Sequence, residues 1–266
     1  MKPPSAHSIA VAVLVAGLLA GCGDDKAADT SPSSTTPATA TASGTPTPVM
    51  DPGDGGNYRP QLDPTEIAAV IDNPYMPLTI GSRWKYEGDA DGKREVIEVV
   101  VTPERKTVMG ISAFVVSDTV TVNGDIVEDT VDWFTQDTAG NVWYLGEETK
   151  EYDNGVVVST EGSWEAGVDG ALAGIVMPAA PVVGDVYRQE FLASEAEDMM
   201  KITAIDASMT VRAGAYTDLV MTQDWTPLDP EVIEEKAYAP GVGLVHETKV
   251  AGGSGSAELV QYTPGR

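Results

Sequence analysis

Phe114-Val115-Val116-Ser117-Asp118-Thr119-Val120-Thr121-Val122-Asn123-Gly124-Asp125-Ile126-Val127-Glu128-Asp129-Thr130-Val131-Asp132-Trp133 is the stretch that decides the fold. Phe114, Val116, Val120 and Val122 alternate with Val115, Ser117, Thr119 and Thr121. That two-residue period belongs to a strand with one buried face. Asn123-Gly124 follows at once. A two-residue hairpin turn needs positive φ at both central positions, which Asn and Gly tolerate. Val127, Asp129, Val131 and Trp133 then alternate along the return strand, with three apolar side chains on that face. The unit is an antiparallel hairpin, and the rest of the chain is read from it.

Working outward, Asp91-Gly92 separates Trp84-Lys85-Tyr86 from a strand over Glu95 to Val101. Asn154-Gly155 separates Lys150-Glu151-Tyr152 from Val156-Val157-Val158. Val96 to Val101 is nearly continuous in apolar residues, so it is expected to be covered on both faces. Asp63 suits a helix N-cap, Pro64 the first helical position and Glu66 the third. Ile67, Val70 and Ile71 would form its apolar stripe, so a short helix is expected over 64–71, ended by Asn73-Pro74.

The chain also resembles itself. Pro77 to Trp84 matches Pro181 to Tyr187, Val108 to Phe114 matches Val211 to Tyr216, and Gly140 to Tyr144 matches Gly243 to Glu247. The offset is about 103 residues each time, the mark of an internal repeat. Two related halves are expected, roughly 77–150 and 181–262. The repeat settles 232–238: Asp229-Pro230-Glu231 looks like a helix start, but its counterpart near Glu128 to Trp133 reads as strand. Residues 163–180 are rich in Gly, Ala and Pro and read as a connection crossing the sheet. The expected fold class is mainly β: an antiparallel curved sheet or incomplete barrel of two similar halves, with one short N-terminal helix.

The remaining segments give an address. Lys2, the apolar run Ile9 to Ala20 and Leu19-Ala20-Gly21-Cys22 resemble a bacterial lipoprotein signal peptide ending in a lipobox. A dozen apolar residues are too few to span a bilayer, which needs about 20. The resemblance implies that 1–21 is removed and that Cys22 carries the acyl chains holding the protein to a membrane on its extracytoplasmic face. Residues 22–60 are rich in Thr, Ser and Pro and read as a disordered tether, leaving 61–266 as a single β-rich domain. Cys22 is the only cysteine, so the fold has no intramolecular disulfide.

The formal charge is −25. Such a surface excludes nucleic acid, whose phosphates require Lys and Arg. After the leader one histidine remains, His246, and no thiol, so no Ser-His-Asp or Cys-His site is assembled. Zinc sites use several Cys or His ligands, which the chain lacks. Carboxylates near tryptophans (Asp132, Glu147, Glu165, Glu190 and Glu197 near Trp133, Trp143 and Trp164) leave a carbohydrate-active enzyme as one alternative. Asp137 and Asn141 on a tight loop are candidate calcium ligands. No cofactor is expected. The reading adopted is a non-catalytic module holding an apolar or amphiphilic ligand on the concave face, against Trp84, Trp133, Trp143, Trp164 and Tyr187. An acidic protein-interaction or envelope-structural module is the other alternative.

Asn73-Pro74-Tyr75-Met76-Pro77-Leu78 and Gly81-Ser82-Arg83-Trp84-Lys85-Tyr86-Glu87-Gly88 resemble the start of a family of uncharacterised bacterial lipoproteins. Thr130-Val131-Asp132-Trp133-Phe134-Thr135-Gln136-Asp137 with Gly140-Asn141-Val142-Trp143-Tyr144-Leu145-Gly146-Glu147 is similar to its central signature. Gly162 to Gly167 and Ala239 to Val245 also fit. The resemblance implies a location and a β-rich fold, and no activity. More loosely, Pro240-Gly241-Val242-Gly243-Leu244-Val245 is similar to proteins with the open curved sheet of the lipoprotein-carrier group, a likeness of fold alone.

Overall fold

The computed structural model describes residues 58–60, 62–90 and 92–266. Within them fifteen strands form one sheet. They are β1 (Arg83–Ala90), β2 (Lys93–Val108), β3 (Ile111–Val122), β4 (Asp125–Gln136), β5 (Val142–Asp153), β6 (Val156–Ser159), β7 (Trp164–Glu165) and β8 (Leu172–Met177). There follow β9 (Val186–Arg188), β10 (Glu190–Phe191), β11 (Met199–Val211), β12 (Gly214–Thr226), β13 (Asp229–Ala239), β14 (Gly243–Ala251) and β15 (Gly255–Thr263). The sheet order is β10-β8-β5-β4-β3-β2-β1-β15-β14-β13-β12-β11-β9, and β6 and β7 both pair with β5. The sheet is antiparallel, curved and open. The runs β1–β5 and β9, β11–β14 enter it in the same order, joined where β15 returns between β1 and β14. The leader, Cys22 and the tether as far as 57 lie outside the described residues.

The hairpin signals fall where the sequence puts them. Asn123 and Gly124 have φ of 54° and 97°, and Asn154 and Gly155 have 51° and 76°. Both pairs are left-handed at both positions, as a tight two-residue turn requires. The strand expected over 232–238 lies within β13.

One face of the sheet, here called inner, carries Ile97, Val99, Val101, Val116, Val120 and Phe134, each 0–1% exposed. Burying each such side chain contributes about 1.5–3 kcal/mol. The return strand β4 does not present the face its valines suggest. After the pair Thr121↔Ile126 the register shifts, so Val120 faces Glu128, Asp118 faces Thr130 and Val116 faces Asp132. A one-residue bulge sends every later side chain to the opposite face. Glu128, Thr130, Asp132 and Phe134 therefore point inward, and Val127, Val131 and Trp133 point outward.

Three other expectations are corrected. No helix forms over 64–71. Asp63 does cap a turn, with Thr65 N–H 2.8 Å from its Oδ1 and Glu66 N–H 2.9 Å from its carbonyl. The chain is then drawn straight: Ile67 bridges Asp137, Ala68 N–H donates to the Gln136 carbonyl and Thr138 N–H to that of Glu66. Eight residues give little return on helix nucleation, and these long-range bonds win. Val96 to Val101 is not covered on both faces, since Val96 and Val100 are half-buried and Glu98 is exposed. Residues 163–180 do not cross the sheet but supply β7 and β8 at its margin. Gly174 permits this, because a Cβ there would lie 2.0 Å from the Gln189 carbonyl oxygen.

Candidate functional site

The expected aromatic cluster divides between the two faces. Trp84 pairs with Val99 and Tyr262, Trp164 with Glu147, and Tyr187 with Met200, all inner positions. Trp133 and Trp143 are outer: Trp133 faces Gly146, and Trp143 faces Thr135. The Lys106 ammonium lies 4.3 Å from the Trp133 ring centroid on that side. Every one of the five is buried, at 1–7% exposure. Four of the five also engage their polar atoms. Trp84 Nε1 donates to Val242 O (2.7 Å), Trp143 Nε1 to Asp137 Oδ2 (2.8 Å), Trp164 Nε1 to Glu190 Oε2 (2.9 Å) and Tyr187 Oη to Asp185 Oδ2 (3.0 Å). These rings build the wall of the body rather than one shared binding surface.

The loop at Asp137 is tied by protein donors instead of being left open to calcium. Its Oδ1 accepts Asn141 N–H, and its Oδ2 accepts Asn141 Nδ2 and Trp143 Nε1, at 2.8–2.9 Å. Asn141 Oδ1 accepts Ala179 N–H (2.9 Å). Among the described residues no group of three or more His, Cys, Asp or Glu is placed to hold a metal ion. Asn73 completes the same knot, donating to the carbonyls of Gly140 (2.9 Å) and Pro178 (3.1 Å). Gln136 Oε1 accepts the N–H groups of Asp72 and Asn73 at 3.0 and 2.9 Å. Much of the motif shared by 73–78 and 136–143 thus pins the incoming chain to one end of the sheet.

Two features of the inner face were not foreseen. The first is a group of buried acids. Glu95, Asp118, Asp132, Glu147, Glu190 and Glu247 are 0–3% exposed. Both oxygens of Glu95, both of Asp118 and Oδ2 of Asp132 have no hydrogen-bond partner. Tyr144 Oη lies 2.6 Å from Asp132 Oδ1 and 2.9 Å from Glu147 Oε2. A phenol has one proton, so two such bonds require one carboxyl to be protonated and to donate. Electrostatics agrees. Burial, with repulsion from Glu128 and Asp89, pushes Glu95 up to about 8. Burial pushes Asp132 up to about 7, against the Tyr144 hydrogen bond, and raises Asp118 and Glu147 well above the usual carboxylate range. Lys236 is the counter-charge in the second half, 3.3 Å from Asp224, 3.5 Å from Glu247 and 3.7 Å from Glu234. Burial opposes its charge, but those three acids hold its ammonium well above the ordinary value. Across the sheet Glu95 is separated from Glu247 by only Gly88 and Ala257. The signal was present in the acidic residues of β4, but the bulge that turns them inward was not.

The second feature is an apolar pocket of about 30 Å³ between the incoming segment and the inner face, walled by Trp84, Tyr86, Val99, Tyr238 and Leu244. Tyr86 Oη donates to the Leu244 carbonyl at 3.1 Å, so the pocket presents ring and aliphatic carbon. On the outer face a polar cleft of about 450 Å³ holds Glu87, Arg212, His246, Ser256 and Glu258. Arg212 spans it, with Nε 2.7 Å from Glu258 and Nη1 3.2 Å from Glu87. Burial lowers the His246 pKa, opposed by Glu258.

No protein-family model matches the chain, and no curated protein matches it. Among solved structures it is similar to a Bacteroides fragilis protein described as exported, with a YmcC-like fold. That likeness has 13% identity and a TM-score of 0.42, covering 71% of this chain and 99% of that one. A protein from Parabacteroides distasonis described as a lipoprotein is similar at 16% identity and a TM-score of 0.39, over 72% and 99% of the two chains.

Proposed function

We propose that the protein is a non-catalytic binding module, lipid-anchored through Cys22 on the extracytoplasmic side of a membrane, that takes up the apolar end of an amphiphile. The apolar pocket at Trp84 carries this reading. It has room for the tip of an alkyl chain, not for a whole lipid, so the ligand binds by one end. The formal charge of −25 favours an amphiphile with a cationic head over one with an anionic head. The carbohydrate-active alternative draws no support from the geometry. Asp132, Glu147 and Glu190 are 0–3% exposed, and Glu165 is held 3.0 Å from Lys106. A glycosidic bond has no route to such a pair.

The test is tryptophan fluorescence of the full chain titrated with dodecylamine and, separately, dodecanoate, each below its aggregation concentration. The expected result is a saturable change with dodecylamine, weaker with dodecanoate, and absent from Leu244→Trp, which fills the pocket. Equal responses from wild type and Leu244→Trp would refute the assignment.

A further inference from the structure

The β5–β6 hairpin ends in an edge strand of three successive exposed valines. Val156, Val157 and Val158 are 64%, 45% and 60% exposed. Exposed valines in a row are unusual in a strand, because one face is normally turned to a core. Here both faces are open: β6 pairs with β5 and with no other strand among the described residues. Natural edge strands are usually protected by Lys, Pro, a bulge, a covering loop or an inward charge, and β6 has of these a one-residue register shift at Val158, between Tyr152↔Val157 and Glu151↔Ser159. Residues 154–160 read Asn-Gly-Val-Val-Val-Ser-Thr and contain no charge and no proline.

The backbone of this edge is prepared for a partner. The pair Asp153↔Val156 closes the two-residue turn. In such a hairpin the closing pair exchanges both its hydrogen bonds with itself. The next residue along, Val157, therefore turns its N–H and C=O away from β5, toward the open edge. A strand laid there would gain backbone hydrogen bonds and cover valine side chains on both faces, which is the mode of recognition by strand addition.

Charge selects the occupant. Around the neutral edge the hairpin carries Glu148, Glu151, Asp153 and Glu161 against one Lys150, whose ammonium is 2.7 Å from Glu148. The whole chain has a formal charge of −25, so a second copy approaches against strong repulsion. We infer that β6 is a docking edge for an extended segment of a partner protein in which aliphatic residues alternate with basic ones. The segment adds as a strand beside Val156–Ser159, its aliphatic side chains over the valines and its ammonium groups toward the hairpin carboxylates.

The experiment is hydrogen–deuterium exchange on the full chain with the probe acetyl-Lys-Val-Lys-Val-Lys-Val-amide. Its acidic counterpart, with Glu in place of Lys, serves as control. Saturating basic peptide is expected to slow exchange across 156–159 at least tenfold, and the acidic peptide to have no effect. Val157→Pro removes only an outward N–H, so the hairpin keeps its bonds to β5 while peptide affinity falls at least tenfold. Val156→Lys/Val158→Lys, exposed and harmless to the fold, is expected to weaken the basic peptide similarly. The inference is overturned if no peptide protects these amides, if both peptides bind alike, or if Val157→Pro binds as wild type does. It is equally overturned if sedimentation shows a dimer that Val157→Pro dissociates, or if phosphatidylcholine vesicles alone protect the same amides.

Discussion

Replacing Glu95 by Gln should change how stability depends on pH more than it changes stability itself. Glu95 sits inside the sheet at 0% exposure with neither oxygen hydrogen-bonded. Burial lifts its pKa from 4.5 to about 8. The unfolded chain releases this proton near pH 4.5, whereas the folded chain keeps it until about 8. Over that interval the folded state binds more protons, so its stability falls as pH rises. The contribution is complete below pH 4.5, is lost progressively up to about 8, and is level above that. A gap of about 3.5 pH units at 1.36 kcal/mol each sets a ceiling of about 5 kcal/mol. Gln cannot ionise, is nearly the same shape, and leaves a similar neutral group buried. Wild type and Glu95→Gln should therefore unfold alike at pH 4, and the variant should be the more stable at pH 9, by up to about 5 kcal/mol.

Urea denaturation followed by tryptophan fluorescence at several pH values from 4 to 9 measures this directly. The slope against urea should match between the proteins, since the surface exposed on unfolding is the same. Stability of wild type should decline toward alkaline pH more steeply than that of the variant. Parallel pH curves for the two proteins, or a wild type that gains stability from pH 5 to 8, would mean that Glu95 is ionised in the fold and that the protonated interior is wrong.

Asn73→Ala removes two donated bonds and the one its Oδ1 accepts from Tyr75 N–H at 2.9 Å, and should cost about 3 kcal/mol in the same assay. Asp137→Ala frees Asn141 and Trp143 from their acceptor and should cost a similar amount, about 3 kcal/mol, while millimolar calcium or EDTA leaves the melting temperature of wild type unchanged. Gly146→Ala sets a Cβ 2.3 Å from the Trp164 carbonyl at a φ of 135°, so β7 must detach; a loss above about 3 kcal/mol with a red-shifted tryptophan emission is expected.

The sheet, its antiparallel hairpins and the strand at 232–238 were legible because their signals are local. Asn-Gly at the tip of a hairpin determines the turn whatever surrounds it. The helix expected at 64–71 failed for the opposite reason. Asp63 and Pro64 are sound local cues, yet Ile67 and Ala68 are claimed by bonds to Gln136 and Asp137, some seventy positions away in sequence, which no local pattern announces. The five aromatics divide between two faces for a related reason. Trp133 and Trp143 were grouped with Trp84, Trp164 and Tyr187 because tryptophans attract attention, but face membership depends on register, and register is a property of the pair.

Register also explains why the interior is acidic. Without the bulge, Asn123-Gly124 would set Val120 opposite Val127, Val116 opposite Val131 and Phe114 opposite Trp133, an apolar face broken only by Asp118 opposite Asp129. The observed pairing puts Glu128, Thr130 and Asp132 there instead. Burying Glu128 and Asp132 as ionised carboxylates would cost far more than the valines return. The arrangement is tolerable only if the acids give up their charge, or share a proton as Asp132 and Glu147 must across Tyr144. The slip and the raised pKa values are therefore one fact seen twice. A register that hides valines outside and acids inside is stable only while the acids hold their protons, so alkaline pH should strain the β3–β4 pairing first. Amide exchange across 126–132 should accelerate above pH 8 beyond the rise that base catalysis gives to the amides at the Trp84↔Val99 pair. Uniform acceleration across both would show that the inverted face carries no such dependence.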